Sequence, residues 1–206
     1  MKQTVKRIGV FGGAFDPPHN AHIALAQTAL ACLELDALHV IPTGNAWHKA
    51  RSLSAAEHRL AMTRLAFENI PRAVVDDREI KRAGPTFTID TLKELQFETP
   101  DAQLYLMMGA DQFAALTQWH QWRAIVDIAI ICIAARATFD WGKGQSDAEK
   151  ELQNSVVMLR MPQMSVSATQ IRQLICGGLG ENQVIADLLP EPVASYIAQH
   201  QLYKSV

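Results

Sequence analysis

Arg7-Ile8-Gly9-Val10-Phe11-Gly12-Gly13-Ala14-Phe15-Asp16-Pro17-Pro18-His19-Asn20-Ala21-His22 decides the reading of this chain. Its first half is apolar and ends on two glycines, the pattern of a buried strand that stops where backbone must lie close to something else. Its second half runs into a segment with helical spacing, His22 to Leu35, in which Ile23, Ala26, Leu30 and Leu33 share one face. A helix start offers unpaired N–H groups and the positive end of the helix dipole, which together favour phosphate. His19 and His22 are three apart and share a face at that terminus, so two imidazoles are available to phosphate oxygens. The loop is neither a Walker A sequence nor a G-x-G-x-x-G fingerprint. It also lacks the further ligands a zinc site needs.

The rest of the chain repeats the strand-then-helix rhythm. Short apolar runs are expected as strands at Ala37–Pro42, Ala73–Asp76, Gln103–Gly109, Asp127–Ala135 and Val156–Met161. Helices are expected from Ser54 to about Asn69, with Ser54 and Glu57 forming a capping box, and over Thr88–Gln96, Ala168–Cys176 and Glu191–Gln201, the last opened by Pro190 and Pro192. Residues 140–154 read as a polar connection. Near-continuous apolar strands alternating with helices predict an α/β fold: a doubly wound parallel sheet with helices on both faces. One domain is expected over 1–206, with the helices from about 167 packed on the core. In such sheets ligands lie beyond the carboxyl ends of the strands, so function is sought in the residues following each strand.

Bulk properties exclude several classes. The chain has 206 residues, 49% hydrophobic and 19% charged, with formal net charge −2. That lacks the basic excess of a nucleic-acid binder. No run is long enough to span a bilayer and the N-terminus lacks a signal-peptide pattern, so neither nucleic acid nor membrane is an expected partner and the expected location is cytoplasmic. Cys32, Cys132 and Cys176 lie far apart in apolar runs and read as core thiols. The expected state is a monomer or weak homo-oligomer.

A second anion-directed segment stands late in the chain, Ser165-Val166-Ser167-Ala168-Thr169-Gln170-Ile171-Arg172. Ser167 and Thr169 suit a helix start and carry hydroxyl donors, and Arg172 lies one turn on. Arginine stays charged and grips phosphate bidentately. Alone, this segment also reads as a capped helix with a surface arginine; beside the first loop it reads as a second phosphate clamp.

These two segments resemble the H-x-G-H and I-S-x-T-x-I-R motifs of the nucleotidyltransferase superfamily, a resemblance that implies a Rossmann-like fold. Within it the chain is similar to the bacterial nicotinate-nucleotide adenylyltransferase family, through Gly12–Pro17, Arg82–Thr88 with Thr91 and Leu92, Gly109-Ala110-Asp111, Trp119, and Asp187–Pro190 with Val193 and Tyr196. Three positions depart from that pattern: Ala21 between the histidines, Ala46-Trp47 before His48-Lys49, and Ala137-Thr138 after Arg136.

The resemblance implies ATP and nicotinate mononucleotide as substrates, deamido-NAD and pyrophosphate as products, and attack of the acceptor phosphate in line on the ATP α-phosphorus. It assigns His19, His22 and Arg172 to catalysis. It assigns ATP to Gly12, Gly13, Phe15, Ser167, Thr169, Gly109 and Asp111. The acceptor falls to Thr88, Trp119, His48, Lys49 and Arg136. Mg²⁺ is expected to arrive with ATP, held mainly by phosphates and water, and Asp16 to fix the loop backbone by an Asx-type bond rather than bind metal. Two alternatives stay open at this stage: transfer to another phosphorylated acceptor such as phosphopantetheine, and a nucleotide-binding regulator without catalysis.

Overall fold

The computed structural model describes residues 5–44, 53–135, 151–152, 155–162, 164–178 and 183–204. In chain order the elements are β1 (Arg7–Gly13), α1 (Asn20–Cys32), β2 (Ala37–Pro42), α2 (Ala56–Phe67), β3 (Ala73–Val75), α3 (Arg78–Lys81), α4 (Thr88–Glu98) and β4 (Gln103–Gly109). They continue with α5 (Ala110–Ala114), a 3₁₀ turn at Leu116–Gln118, α6 (Trp122–Ile128), β5 (Ala129–Ala135), β6 (Val157–Arg160), α7 (Ala168–Cys176), α8 (Gln183–Leu188) and α9 (Glu191–Gln199).

The six strands form one parallel sheet in the order β3-β2-β1-β4-β5-β6. The order reverses between β1 and β4, which places the switch-point crevice beside Gly13 and Gly109. Side chains alternate across each strand into two cores. Phe11, Leu38, Val40, Tyr105, Met107 and Cys132 face one, with α1, α2 and the late helices over it. Val10, Ile41, Leu106, Met108, Ile131 and Ile133 face the other, beneath α4 and α6. Burying both faces explains why the strands read as unbroken apolar runs; each such side chain contributes about 1.5–3 kcal/mol.

Ile171, Ile175, Ile185, Leu189, Val193 and Ile197 bring α7, α8 and α9 into the first core. The Tyr196 hydroxyl, 2.9 Å from His58 Nδ1, fastens α9 to α2.

Four sequence expectations need correction. Helix α2 opens after Ala55, and Ser54 does not cap it. The Ser54 N–H donates to Asp16 Oδ2 and its hydroxyl bonds Tyr203, so these partners take the groups that a cap would have used. Asp127 and Ile128 belong to α6, and β5 begins only at Ala129. An apolar run alone does not separate strand from buried helix. Cys132 is buried, but Cys32 and Cys176 are exposed, on the outer faces of α1 and α7. Finally, α3, α5, α6 and α8 lack the length that makes periodicity legible. The connection expected at 140–154 lies largely outside the described residues.

Candidate active site

The loop following β1 is held from three sides. Arg59, only 2% exposed, donates to the carbonyls of Ala14 (3.0 Å), Thr43 (2.7 Å) and Ser54 (3.0 Å). One guanidinium thereby joins the first loop, the end of β2 and the approach to α2. Its burial is tolerated because carbonyls satisfy its donors, and Asp16 offsets its charge. The Asp16 carboxylate is itself 2% exposed; Oδ1 accepts the Tyr203 hydroxyl at 2.6 Å and Oδ2 accepts Ser54 N–H at 3.2 Å. Where the sequence predicts a local Asx-type bond, these bonds from Asp16 tie the loop to remote segments. Gly44 also requires its missing side chain, because a Cβ there would collide with the Glu79 carbonyl oxygen.

His19 is the residue at which α1 begins, and its extended backbone (φ −144°, ψ 171°) points its ring back over the first turn. The His19 and His22 rings stack with centroids 3.7 Å apart. His22 Nδ1 accepts the His19 backbone N–H at 3.1 Å. An accepting Nδ1 fixes the neutral tautomer with the proton on Nε2, which makes His22 a donor through that atom. His19 is 7% exposed and its Nδ1 is buried without a protein partner among the described residues. Phe15, held at φ 48°, packs edge-on against His22 with centroids 5.1 Å apart.

Burial brings the His19 imidazole down to about 4. Burial, with His19 beside it, also holds His22 well below the ordinary histidine value. Both rings are neutral at pH 7, and a polyanion seated against them favours their protonated forms. An unfolded histidine titrates near 6.5. Between that value and 4 the unfolded chain binds more protons, so stability is full above about 6.5 and falls as pH drops toward 4. The expected loss from His19 between pH 7 and pH 5 is about 2 kcal/mol, and His22 adds to it in the same direction. Urea unfolding at the two pH values measures it. His19→Asn should shrink the difference; an unchanged difference would clear this imidazole as its cause.

The late motif meets this loop. Ser167 caps α7, its hydroxyl accepting Gln170 N–H at 3.2 Å. Arg172 donates through one terminal nitrogen to the Asp16 carbonyl at 2.7 Å and through the other to Thr169 Oγ1 at 3.0 Å. A cleft of about 610 Å³ lies between the two helix starts. Gly12, Gly13, Phe15, His19, His22, Gly109, Asp111, Ser167, Thr169 and Arg172 all line it. A Cβ on Gly12 would meet nothing within 4 Å, so the bare backbone there faces open cleft. The volume is that of a small-molecule site. Gln112, whose amide oxygen is 3.4 Å from the Gly109 nitrogen, shares the lining and had no motif to announce it.

Two expected acceptor residues stand apart from this cleft but near each other. Thr88 opens α4, and Trp119 ends the 3₁₀ turn, half-buried against the second core. Their sequence neighbours touch: the Phe87 and His120 rings lie tilted to each other with centroids 4.4 Å apart. Below them the Thr91 hydroxyl donates to buried Glu79 at 2.8 Å. Arg82 in turn reaches Thr91 Oγ1 and Glu94, the latter at 2.7 Å. Burial raises the Glu79 carboxyl above its ordinary value. His48, Lys49 and Arg136 lie outside the described residues.

Among the described residues no group of three or more His, Cys, Asp or Glu side chains could hold a metal ion, and no helix is long and apolar enough to cross a membrane. The Asp16 carboxylate is committed to Tyr203 and Ser54.

Sheet order and a cleft at the switch point define a class, the doubly wound α/β folds whose ligand crevice lies beyond the carboxyl ends of the strands. The cytidylyltransferase-like family model matches residues 10–174. A probable nicotinate-nucleotide adenylyltransferase of Albidiferax ferrireducens is 51% identical, over 98% of this chain and 100% of its own. One of Methylibium petroleiphilum is 40% identical over 96% and 92%. The chain therefore belongs to the cytidylyltransferase-like family and, within it, to the nicotinate-nucleotide adenylyltransferases. The Plasmodium falciparum nicotinic acid mononucleotide adenylyltransferase complexed with NaAD superposes with a TM-score of 0.78 at 20% identity, covering 96% of this chain and 97% of that one; this likeness speaks for the fold.

Proposed function

We propose that this chain joins MgATP and nicotinate mononucleotide to give deamido-NAD and pyrophosphate. An oxygen of the acceptor's 5′-phosphate attacks the ATP α-phosphorus, a new P–O bond forms, the α–β bridge P–O bond breaks, and pyrophosphate leaves in line. The nucleophile is already ionised at pH 7, so no general base is required. Catalysis reduces to alignment and charge stabilisation. Mg²⁺ travels with ATP as part of the substrate and offsets charge on the phosphates.

One observation carries the reading: the bond from Arg172 to the Asp16 carbonyl, which joins the late helix start to the histidine loop over one cleft. In this scheme the His22 and His19 rings face the α-phosphate, and Arg172, Ser167 and Thr169 hold the β- and γ-phosphates. Gly12, Gly13, Phe15, Gly109 and Asp111 shape the nucleotide site. Trp119 offers an aromatic face to the pyridine ring. The start of α4 at Thr88 offers N–H groups to the nicotinate carboxylate. His48, Lys49 and Arg136 belong to the acceptor side by resemblance alone. The named relatives support the choice of acceptor.

The acid is expected to be preferred over the amide, because a carboxamide turns an NH₂ toward those donors and leaves them unpaired. About 10- to 10²-fold in kcat/KM is the expected margin. Purified protein with ATP, Mg²⁺ and each mononucleotide, followed by pyrophosphate release, tests both points. Equal kcat/KM for the two would remove the pocket assignment. Turnover with phosphopantetheine but not with either mononucleotide would remove the proposed reaction.

A further inference from the structure

The C-terminal residues after α9 turn back into the molecule. Gln201 and Tyr203 both have positive φ, 49° and 63°. This double reversal is costly for residues with a Cβ. It delivers the Tyr203 ring to the floor of the histidine loop, where its hydroxyl donates to Asp16 Oδ1 at 2.6 Å and lies 3.9 Å from Met62 Sδ. Leu202 anchors the turn, its N–H bonded to the Ile197 carbonyl at 3.1 Å.

The same residue, Asp16, presents its carboxylate to Tyr203 and its carbonyl to Arg172. The Asp16 carboxylate and carbonyl branch from one Cα, and the residue is buried with both ends bonded, so displacing the carboxylate displaces the carbonyl and with it the guanidinium. Ser54 bonds both Asp16 and Tyr203, which closes the network. Burial and the Asp16 charge push the Tyr203 phenol well above its ordinary value, so it stays a donor across the working pH range.

We propose that Tyr203 is a positioning residue for phosphate binding: through Asp16 its hydroxyl sets the orientation of Arg172, so the last turn of the chain tunes the triphosphate clamp. The inference rests on the proposed use of Arg172 toward ATP. It is independent of which acceptor is used.

Tyr203→Phe removes one oxygen and keeps the ring. The direct readout is the ATP dissociation constant by calorimetry with Mg²⁺ and no acceptor, compared with kcat and both KM values. Tyr203→Phe is expected to weaken ATP binding by about 10-fold, the effect of one lost hydrogen bond to a charged group, with the KM for nicotinate mononucleotide unchanged. In an Arg172→Ala background the same substitution should have little further effect, because residues acting through one another are not additive. Wild-type ATP affinity in Tyr203→Phe, or the full 10-fold loss persisting without Arg172, would overturn the proposal. Hydrogen exchange separates positioning from general loosening. Faster exchange confined to residues 14–22 and 167–172 supports the proposal, and a uniform rise across both cores overturns it. Tight ATP binding that depends on Tyr203, in a protein without transfer activity, would sink the proposed reaction and leave this inference standing.

Discussion

His22→Ala is expected to lower kcat by at least about 10²-fold, the cost of deleting one donor aimed at charge that develops during reaction. The argument starts from the tautomer. The His19 N–H occupies His22 Nδ1, so the remaining ring nitrogen carries the proton, on a ring that lines the cleft. The ring is braced by Phe11 and Phe15 and stacked on His19, so it loses little freedom when substrate arrives. A donor held this way interacts more strongly with a pentacoordinate α-phosphorus than with ground-state ATP, and the loss should fall on kcat more than on the KM for ATP. The fold should persist, because His22 is half-buried at the edge of the cleft and the two cores do not include it. Steady-state kinetics with circular dichroism as a folding control reads both quantities. Near-normal turnover would take His22 out of the mechanism.

The sheet was legible because physics writes it twice along the strands: both faces are buried, so apolar residues run unbroken, and glycine stops them at the crevice. Gly13 and Gly109 end β1 and β4 as the apolar runs predict, but which strands pair, and so where the crevice lies, is long-range information. The histidine loop and the Ser167–Arg172 segment were legible as helix starts, and the structure brings both to one cleft. What escaped was long-range. Tyr203 lies 187 positions from Asp16, and no local pattern announces that pairing. Arg59 did leave a trace. Arg59, Met62, Thr63, Ala66 and Phe67 are the buried residues of α2, at i, i+3, i+4, i+7 and i+8. An arginine at an apolar-stripe position must have its donors satisfied indoors, and the carbonyls of Ala14, Thr43 and Ser54 do so. The Ser54 cap failed for a related reason. Capping propensity is local, and two partners from distant segments outcompeted it.

Arg172→Lys should reduce kcat/KM for ATP by about 10- to 10²-fold although charge is conserved, as expected when one or two charge-assisted hydrogen bonds are lost. The guanidinium here has two duties at once. One terminal nitrogen is committed to the Asp16 carbonyl at 2.7 Å and the other to Thr169 Oγ1 at 3.0 Å. These bonds orient the guanidinium plane, and in the proposed scheme that plane presents the fork to phosphate oxygens. A lysine has one nitrogen with three donors on a flexible stem. If it keeps the Asp16 carbonyl, its reach to two phosphates is lost; if it reaches the phosphates, the loop loses its tie to α7. Either way the alignment of the leaving pyrophosphate degrades, so kcat and KM for ATP should both change while KM for the acceptor does not. Raising ionic strength should weaken ATP binding more in the lysine variant, since a point charge without directed bonds depends more on unscreened attraction. Kinetics at two salt concentrations distinguish the cases. Unchanged kcat and ATP KM would mean that the late helix start does not hold the triphosphate, and the proposed two-sided clamp would have to be abandoned.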